Sequence, residues 1–169
     1  MRETPVKART ACFAGTFDPP TNGHLDVVRR AAPLFDRLVI GVSSAGKETL
    51  FTAKERLALL TPLVASIPGV EVAPFEGLLV DFAKAKGAGV LVRGVRTFQD
   101  WEYEIRMARM NRQISGGLET LFLAPSVEHA HVSSTLIREV AALGADVSGL
   151  VPESVVKALR SRFQRPAAR

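Results

Sequence analysis

Five short apolar runs, separated by stretches with helical spacing, constrain this chain more than any other feature. The runs are Ala11-Cys12-Phe13-Ala14, Arg37-Leu38-Val39-Ile40-Gly41-Val42, Val70-Glu71-Val72-Ala73, Val90-Leu91-Val92 and Thr120-Leu121-Phe122-Leu123-Ala124. They are rich in Val, Leu and Ile, the pattern of strands buried on both faces of a parallel sheet. Between them, Thr52-Ala53-Lys54-Glu55 is a capping box opening a helix to about Ile67, with Leu57, Leu60 and Val64 on one stripe. Leu79 to Lys86 predicts a shorter helix ended by Gly87, and Trp101 to about Ser115 a long one broken by Gly116-Gly117. A helix starting at Leu25 and two more over Ser134 to Leu143 and Glu153 to Phe163 complete the pattern, with Pro152 suited to the first turn of the last. Strands alternating with helices predict a doubly wound, five-stranded parallel sheet with helices on both faces. Ligands then bind outside the carboxyl ends of the strands.

At 169 residues and 47% hydrophobic content, the chain fits one domain with a real core. We expect that domain over residues 10–163, with tails at 1–9 and 164–169. The single cysteine, Cys12, excludes an internal disulfide. Without an apolar run of about 18 residues or a signal-peptide pattern, the expectation is a cytoplasmic protein with no membrane partner. A net charge of +5 raises the question of nucleic acid. No basic cluster interleaved with aromatics appears, and a basic balance also suits small polyanions, so no nucleic-acid partner is expected.

The first apolar run leads through Gly15-Thr16-Phe17-Asp18-Pro19-Pro20-Thr21-Asn22-Gly23-His24 into a helix. A glycine and hydroxyl turn before a helix N-terminus offers backbone N–H groups and the positive end of the helix dipole to an anion. His24 adds a side-chain donor there; an ordinary loop rich in Gly, Pro and Asn is the plainer alternative. Gly41 to Lys47 fits G-x-x-x-x-G-K, but Glu48 stands where a P-loop needs Ser or Thr, so no P-loop is expected. Lys47 remains open between a phosphate-binding lysine and a solvated one. Arg93-Gly94-Val95-Arg96 follows the fourth run, where two arginines could meet phosphates, or make only weak surface pairs. His129-Ala130-His131-Val132-Ser133-Ser134-Thr135 brings three consecutive hydroxyls to a helix start, as caps or as a second anion site. Three histidines and one cysteine, without a carboxylate cluster at ligand spacing, give no protein metal site.

The first motif resembles the (Thr/His)-x-Gly-His signature of the nucleotidyltransferase superfamily. Arg93-Gly94-Val95-Arg96 with Asp100-Trp101-Glu102-Tyr103-Glu104, and Val132 to Glu139, are similar to the later motifs of phosphopantetheine adenylyltransferases. The resemblance runs from about Cys12 to about Leu159 and implies a Rossmann-like fold. It implies transfer of the adenylyl group of ATP to 4′-phosphopantetheine, by in-line attack with no covalent enzyme intermediate. Carried onto this chain, Thr16 positions the attacking phosphate and His24 stabilises the transition state. Lys47 and Arg93 hold 4′-phosphopantetheine, with Leu79 against the pantetheine arm. Thr16, Phe17, His24, Gly94, Val95, Arg96, Glu104 and the run His129, Ala130, His131, Val132, Ser133, Ser134 and Thr135 bind ATP. Mg2+ arrives with ATP, dephospho-coenzyme A and coenzyme A are product or feedback ligands, and the assembly is a homohexamer. Pro20 departs from the pattern, and Pro19-Pro20 is similar to nicotinate-nucleotide adenylyltransferases. The alternative substrate is accordingly nicotinate mononucleotide, or that of another small-molecule nucleotidyltransferase. Leu79 and His129 stand where relatives carry other residue types.

Overall fold

The computed structural model describes residues 9–44 and 48–163. Strands β1 (Thr10–Gly15), β2 (Arg37–Ser43), β3 (Val70–Phe75), β4 (Val90–Gly94) and β5 (Glu119–Leu123) form one sheet in the order β3-β2-β1-β4-β5. Every pairing is parallel. The helices are α1 (Asn22–Ala31), α2 (Ala53–Val64), α3 (Leu79–Ala85), α4 (Phe98–Ser115), α5 (Ser134–Ala142) and α6 (Glu153–Phe163). The chain winds outward from β1 to β3, then crosses back so that β4 pairs on the other side of β1. The strand order therefore reverses between β1 and β4, and a crevice opens at their carboxyl ends.

Alternate residues of the strands feed two faces. Phe13, Ile40, Val42 and Val92 pack with Leu25 and Val28 of α1 and Leu60 and Val64 of α2. Cys12, Ala14 and Leu91 turn the other way, toward Ala83, Leu79 and Phe82 of α3. Complete burial of a side chain such as Ile40 or Leu60 contributes about 1.5–3 kcal/mol each. That is enough to hold short strands whose ends are loops. Gly41 is needed by this packing, since a Cβ there would lie 2.7 Å from the Phe82 ring. The Cys12 thiol is fully buried, and burial pushes its pKa up to about 12, so it is an inert core group. A third cluster joins Val155, Val156 and Leu159 of α6 to Ile137 of α5 and to Phe51.

Two helices, α1 and α4, begin earlier than the apolar spacing predicts, because a cap outside the stripe sets the start. Thr97 Oγ1 accepts the Asp100 N–H at 3.1 Å, so α4 opens at Phe98. It closes at Gly116, whose φ of 78° suits glycine. The Thr52–Glu55 box opens α2 as predicted, while the helix ends at Val64 and Ile67 lies in the following turn. Asn22 donates to the carbonyls of Gly149 at 2.7 Å and Leu150 at 3.1 Å, tying α1 to the approach of α6. Asp26 of α1 accepts the N–H and hydroxyl of Ser126, which fixes the segment leaving β5. Among the described residues, no helix is long and apolar enough to cross a membrane.

Candidate active site

A cleft of about 340 Å³ opens at the carboxyl ends of β1 and β4. Its walls come from the Gly15–His24 turn, Glu48 and Thr49 after β2, the Arg93–Arg96 loop with Asp100 and Glu104 of α4, Pro125 after β5, and Val132 to Arg138 at the start of α5. The strand order brings together motifs far apart in sequence.

Thr21 and His24 form a reciprocal cap on α1. Thr21 Oγ1 accepts the His24 N–H at 3.3 Å, and the Thr21 N–H donates to His24 Nδ1 at 3.0 Å. A backbone N–H can only donate, so Nδ1 is unprotonated and the neutral ring carries its proton on Nε2. The Phe17 ring packs edge-on against the imidazole with centroids 5.0 Å apart. Phe17 itself has φ 51°, a backbone conformation costing a non-glycine residue about 1–2 kcal/mol. That turn buries its ring against Phe13 and His24. Burial, then the charges of Arg96 and Arg93, push the His24 pKa down to about 4. At neutral pH this residue is an uncharged donor.

Each of three arginines at the cleft is paired with a carboxylate. Arg93 meets Glu104 side by side, Nε to Oε2 at 2.8 Å and Nη2 to Oε1 at 2.6 Å, and donates to the Ala14 carbonyl at 2.5 Å. Burial opposes the charge of Arg93, but the bonds to Glu104 outweigh it and raise its pKa. Arg96 pairs with Asp100 at 3.1 Å and donates to the Val132 carbonyl at 2.9 Å. Arg138 lies 3.4 Å from Asp18 Oδ2 and also donates to the Asp18 carbonyl. The guanidinium groups are thus oriented before a polyanion arrives.

At α5, Ser133 Oγ accepts the Leu136 N–H at 3.1 Å, which leaves its own proton to donate. Ser134 Oγ donates to the Pro19 carbonyl at 2.8 Å, so its hydroxyl proton is committed. The N–H groups of Ser134 and Thr135 lie in the first turn, without an intrahelical partner. The outcome is an anion cradle of one hydroxyl and two backbone donors.

Residues 12–140 match the cytidylyltransferase-like family. A phosphopantetheine adenylyltransferase of Alkalilimnicola ehrlichii is 50% identical over 162 residues, 94% of this chain and 93% of that protein. One from Moorella thermoacetica is 47% identical over 156 residues, 92% of this chain and 98% of that protein. This chain belongs to the phosphopantetheine adenylyltransferase family. A solved structure from Vibrio parahaemolyticus, described as a candidate nicotinate-nucleotide adenylyltransferase, superposes with a TM-score of 0.69. It covers 94% of this chain and 97% of its own at 18% identity, which bears on the fold alone.

In this phosphopantetheine adenylyltransferase family member, the cleft gathers Thr16, Phe17, His24, Arg93, Gly94, Arg96, Glu104, Val132, Ser133, Ser134 and Thr135 from the sequence prediction. Other predicted residues are not among its walls. Leu79 opens α3 and packs with Cys12 and Ala14 on the opposite sheet face. Val95 is held by its N–H to the Leu123 carbonyl at 3.0 Å. His129 and Ala130 lie in and just after a 3-10 turn, and His131 is exposed. Lys47 lies outside the described residues.

Sequence reasoning gave no role to three residues that build this site. Asp18 is 1% exposed and accepts the N–H groups of Leu50 at 2.8 Å and Phe51 at 2.9 Å. Arg56 is 2% exposed and donates to the carbonyls of Phe51 at 3.0 Å, Thr16 at 2.5 Å and Ser43 at 2.8 Å. Burial pulls its pKa down and the charge of Asp18 opposes that. Arg138 is the third. One signal was available: Arg56, Leu60 and Val64 share a four-residue spacing, and an arginine on an apolar stripe is held there by buried acceptors.

Proposed function

We propose that this enzyme joins the adenylyl group of ATP to the phosphate of 4′-phosphopantetheine, releasing pyrophosphate and giving dephospho-coenzyme A. A phosphate oxygen of 4′-phosphopantetheine attacks the α-phosphorus of ATP in line. One P–O bond forms as the bond to the pyrophosphate breaks, so no enzyme nucleophile is required. The observation that carries this reading is the single cleft that joins the Thr16–His24 turn, the Arg93–Arg96 loop and the Ser133–Thr135 helix start. It offers donors and cations aimed at phosphates, and catalysis by such a set is positioning and charge stabilisation.

The His24 Nε2–H donates to the α-phosphate as its charge develops, and being neutral it does not need to be paired with a carboxylate. Thr16 orients the attacking phosphate, while Arg93 and Lys47 bind that substrate, with Leu79 toward its pantetheine arm. Ser133, the α5 N–H groups, Arg96 and Arg138 receive the ATP phosphates and the leaving pyrophosphate. Asp18, Asp100 and Glu104 are occupied by their arginines, and the described residues include no cluster of three or more ligating side chains. Mg2+ bound to ATP would be held chiefly by phosphates and water on this reading, where it neutralises phosphate charge.

For assembly we propose self-association through α4, consistent with the hexamer that the family resemblance implies. Its support is an exposed stripe of Tyr103, Met107, Met110 and Ile114 at helical spacing on one face of α4. Light scattering gives the mass directly. The cytoplasm is the proposed compartment, and coenzyme A the proposed feedback ligand.

The deciding assay is pyrophosphate release from ATP and Mg2+, with 4′-phosphopantetheine and nicotinate mononucleotide offered in parallel. Release with 4′-phosphopantetheine alone is the expected result. Release with the mononucleotide alone would overturn the substrate assignment.

A further inference from the structure

The two walls of the cleft are attached to the Gly15–Thr21 turn in different ways. The α5 wall hangs mainly on backbone carbonyls: Arg138 donates to that of Asp18, and Ser134 to that of Pro19 at 2.8 Å, with a 3.4 Å ion pair of Arg138 to Asp18 Oδ2 beside them. The opposite wall, Glu48 and Thr49, is fixed through the residues that follow it. Leu50 and Phe51 give their N–H groups to the Asp18 carboxylate at 2.8 and 2.9 Å. That carboxylate is buried and holds the two N–H groups of the segment, while Arg56 adds a second link by donating to the carbonyls of Phe51 and, in the turn, Thr16. A substitution at Asp18 that spares the backbone therefore removes both bonds to the 48–51 segment, whereas the α5 wall loses only the 3.4 Å ion pair of Arg138 and keeps its bonds to the carbonyls of Asp18 and Pro19.

We propose that Asp18 is a positioning residue that fixes the 48–51 wall against the nucleotide turn and thereby sets the acceptor-substrate side of the cleft. The side chain does not need to touch either substrate. Its carboxylate presents two acceptor oxygens to two adjacent N–H groups, a match that an amide cannot reproduce because its NH2 group would face a donor. Assigning this wall to the acceptor phosphate rests on the phosphopantetheine reading. Its attachment by Asp18 does not.

The test is Asp18→Asn, read by amide hydrogen exchange and by steady-state kinetics. Exchange at Leu50 and Phe51 should quicken more than about tenfold while the β1 amides of Cys12 and Phe13 keep their rates. The KM for 4′-phosphopantetheine should rise about tenfold, with the KM for ATP shifting by less than about threefold. Unchanged exchange at Leu50 and Phe51, an equal rise in both KM values, or faster exchange throughout β1 would each overturn the proposal. Should the variant not fold, the unaltered chain decides. Slow exchange at these two amides in the free enzyme supports the attachment, and exchange at the rate of an open loop refutes it. A wrong substrate assignment would show separately, as absence of turnover by the unaltered chain, with the exchange measurement still interpretable.

Discussion

His24 Nδ1 accepts the backbone N–H of Thr21 at 3.0 Å, and this one contact fixes the chemical form of the site. A ring that must accept at Nδ1 and sits buried near two arginines stays neutral, with Nε2–H as its donor. Nitrogen NMR should report the Nε2–H tautomer from neutral pH down to about pH 4. The sign of the stability effect follows. The folded-state pKa lies below the usual 6.5, so between those values the unfolded chain binds the extra proton. Stability falls as pH drops from about 6.5 to about 4, by at most about 3.5 kcal/mol, and this contribution is constant above that window. Denaturation curves across the window check it against His24→Gln, which lacks the titrating ring.

His24→Ala should lower kcat by about 10²–10⁴-fold while the KM for ATP changes by only a few-fold. That split marks an interaction made in the transition state. Equal loss of binding and turnover would instead mean that His24 holds substrate and transition state alike.

Arg93 is paired with Glu104 before any substrate arrives, so truncating it has two effects. Arg93→Ala strands a buried carboxylate, at a cost of about 3–5 kcal/mol, and on the proposed reading also removes a cation from the acceptor phosphate. Adding Glu104→Gln should recover much of the stability but not the KM for 4′-phosphopantetheine. Thermal unfolding and kinetics of the two single variants and the double variant separate these effects. Recovery of KM together with stability would remove Arg93 from substrate binding.

Arg56 serves three loops from a buried position. Arg56→Met keeps the apolar stem but removes the guanidinium bonds to the carbonyls of Thr16, Ser43 and Phe51. The expected loss is about 3 kcal/mol, or roughly 6–12 °C in melting temperature for a chain of this size. A smaller loss would mean that water replaces the guanidinium.

The Thr21–His24 cap shows why some of the site was illegible in the chain. The usual capping signature ends in Glu or Gln, and His24 fills that place with a ring nitrogen. The motif was read for its chemistry, and its role in starting α1 at Asn22 was not. Ser134 differs again. Its place among three hydroxyls suggested a donor to phosphate, yet the fold brings the Pro19 carbonyl within 2.8 Å and takes that proton.

The sequence by itself determined the elements and the chemistry. Buried strands must be apolar throughout, helix starts need caps, and phosphate chemistry needs glycine turns, hydroxyls and cations, all of them local requirements written in short stretches. Tertiary structure alone decided the strand order β3-β2-β1-β4-β5, and with it the convergence of distant segments on one cleft. It also decided that Arg93 and Arg138 meet Glu104 and Asp18. Such pairings depend on distances through space between groups as many as 120 residues apart, and no local spacing encodes them.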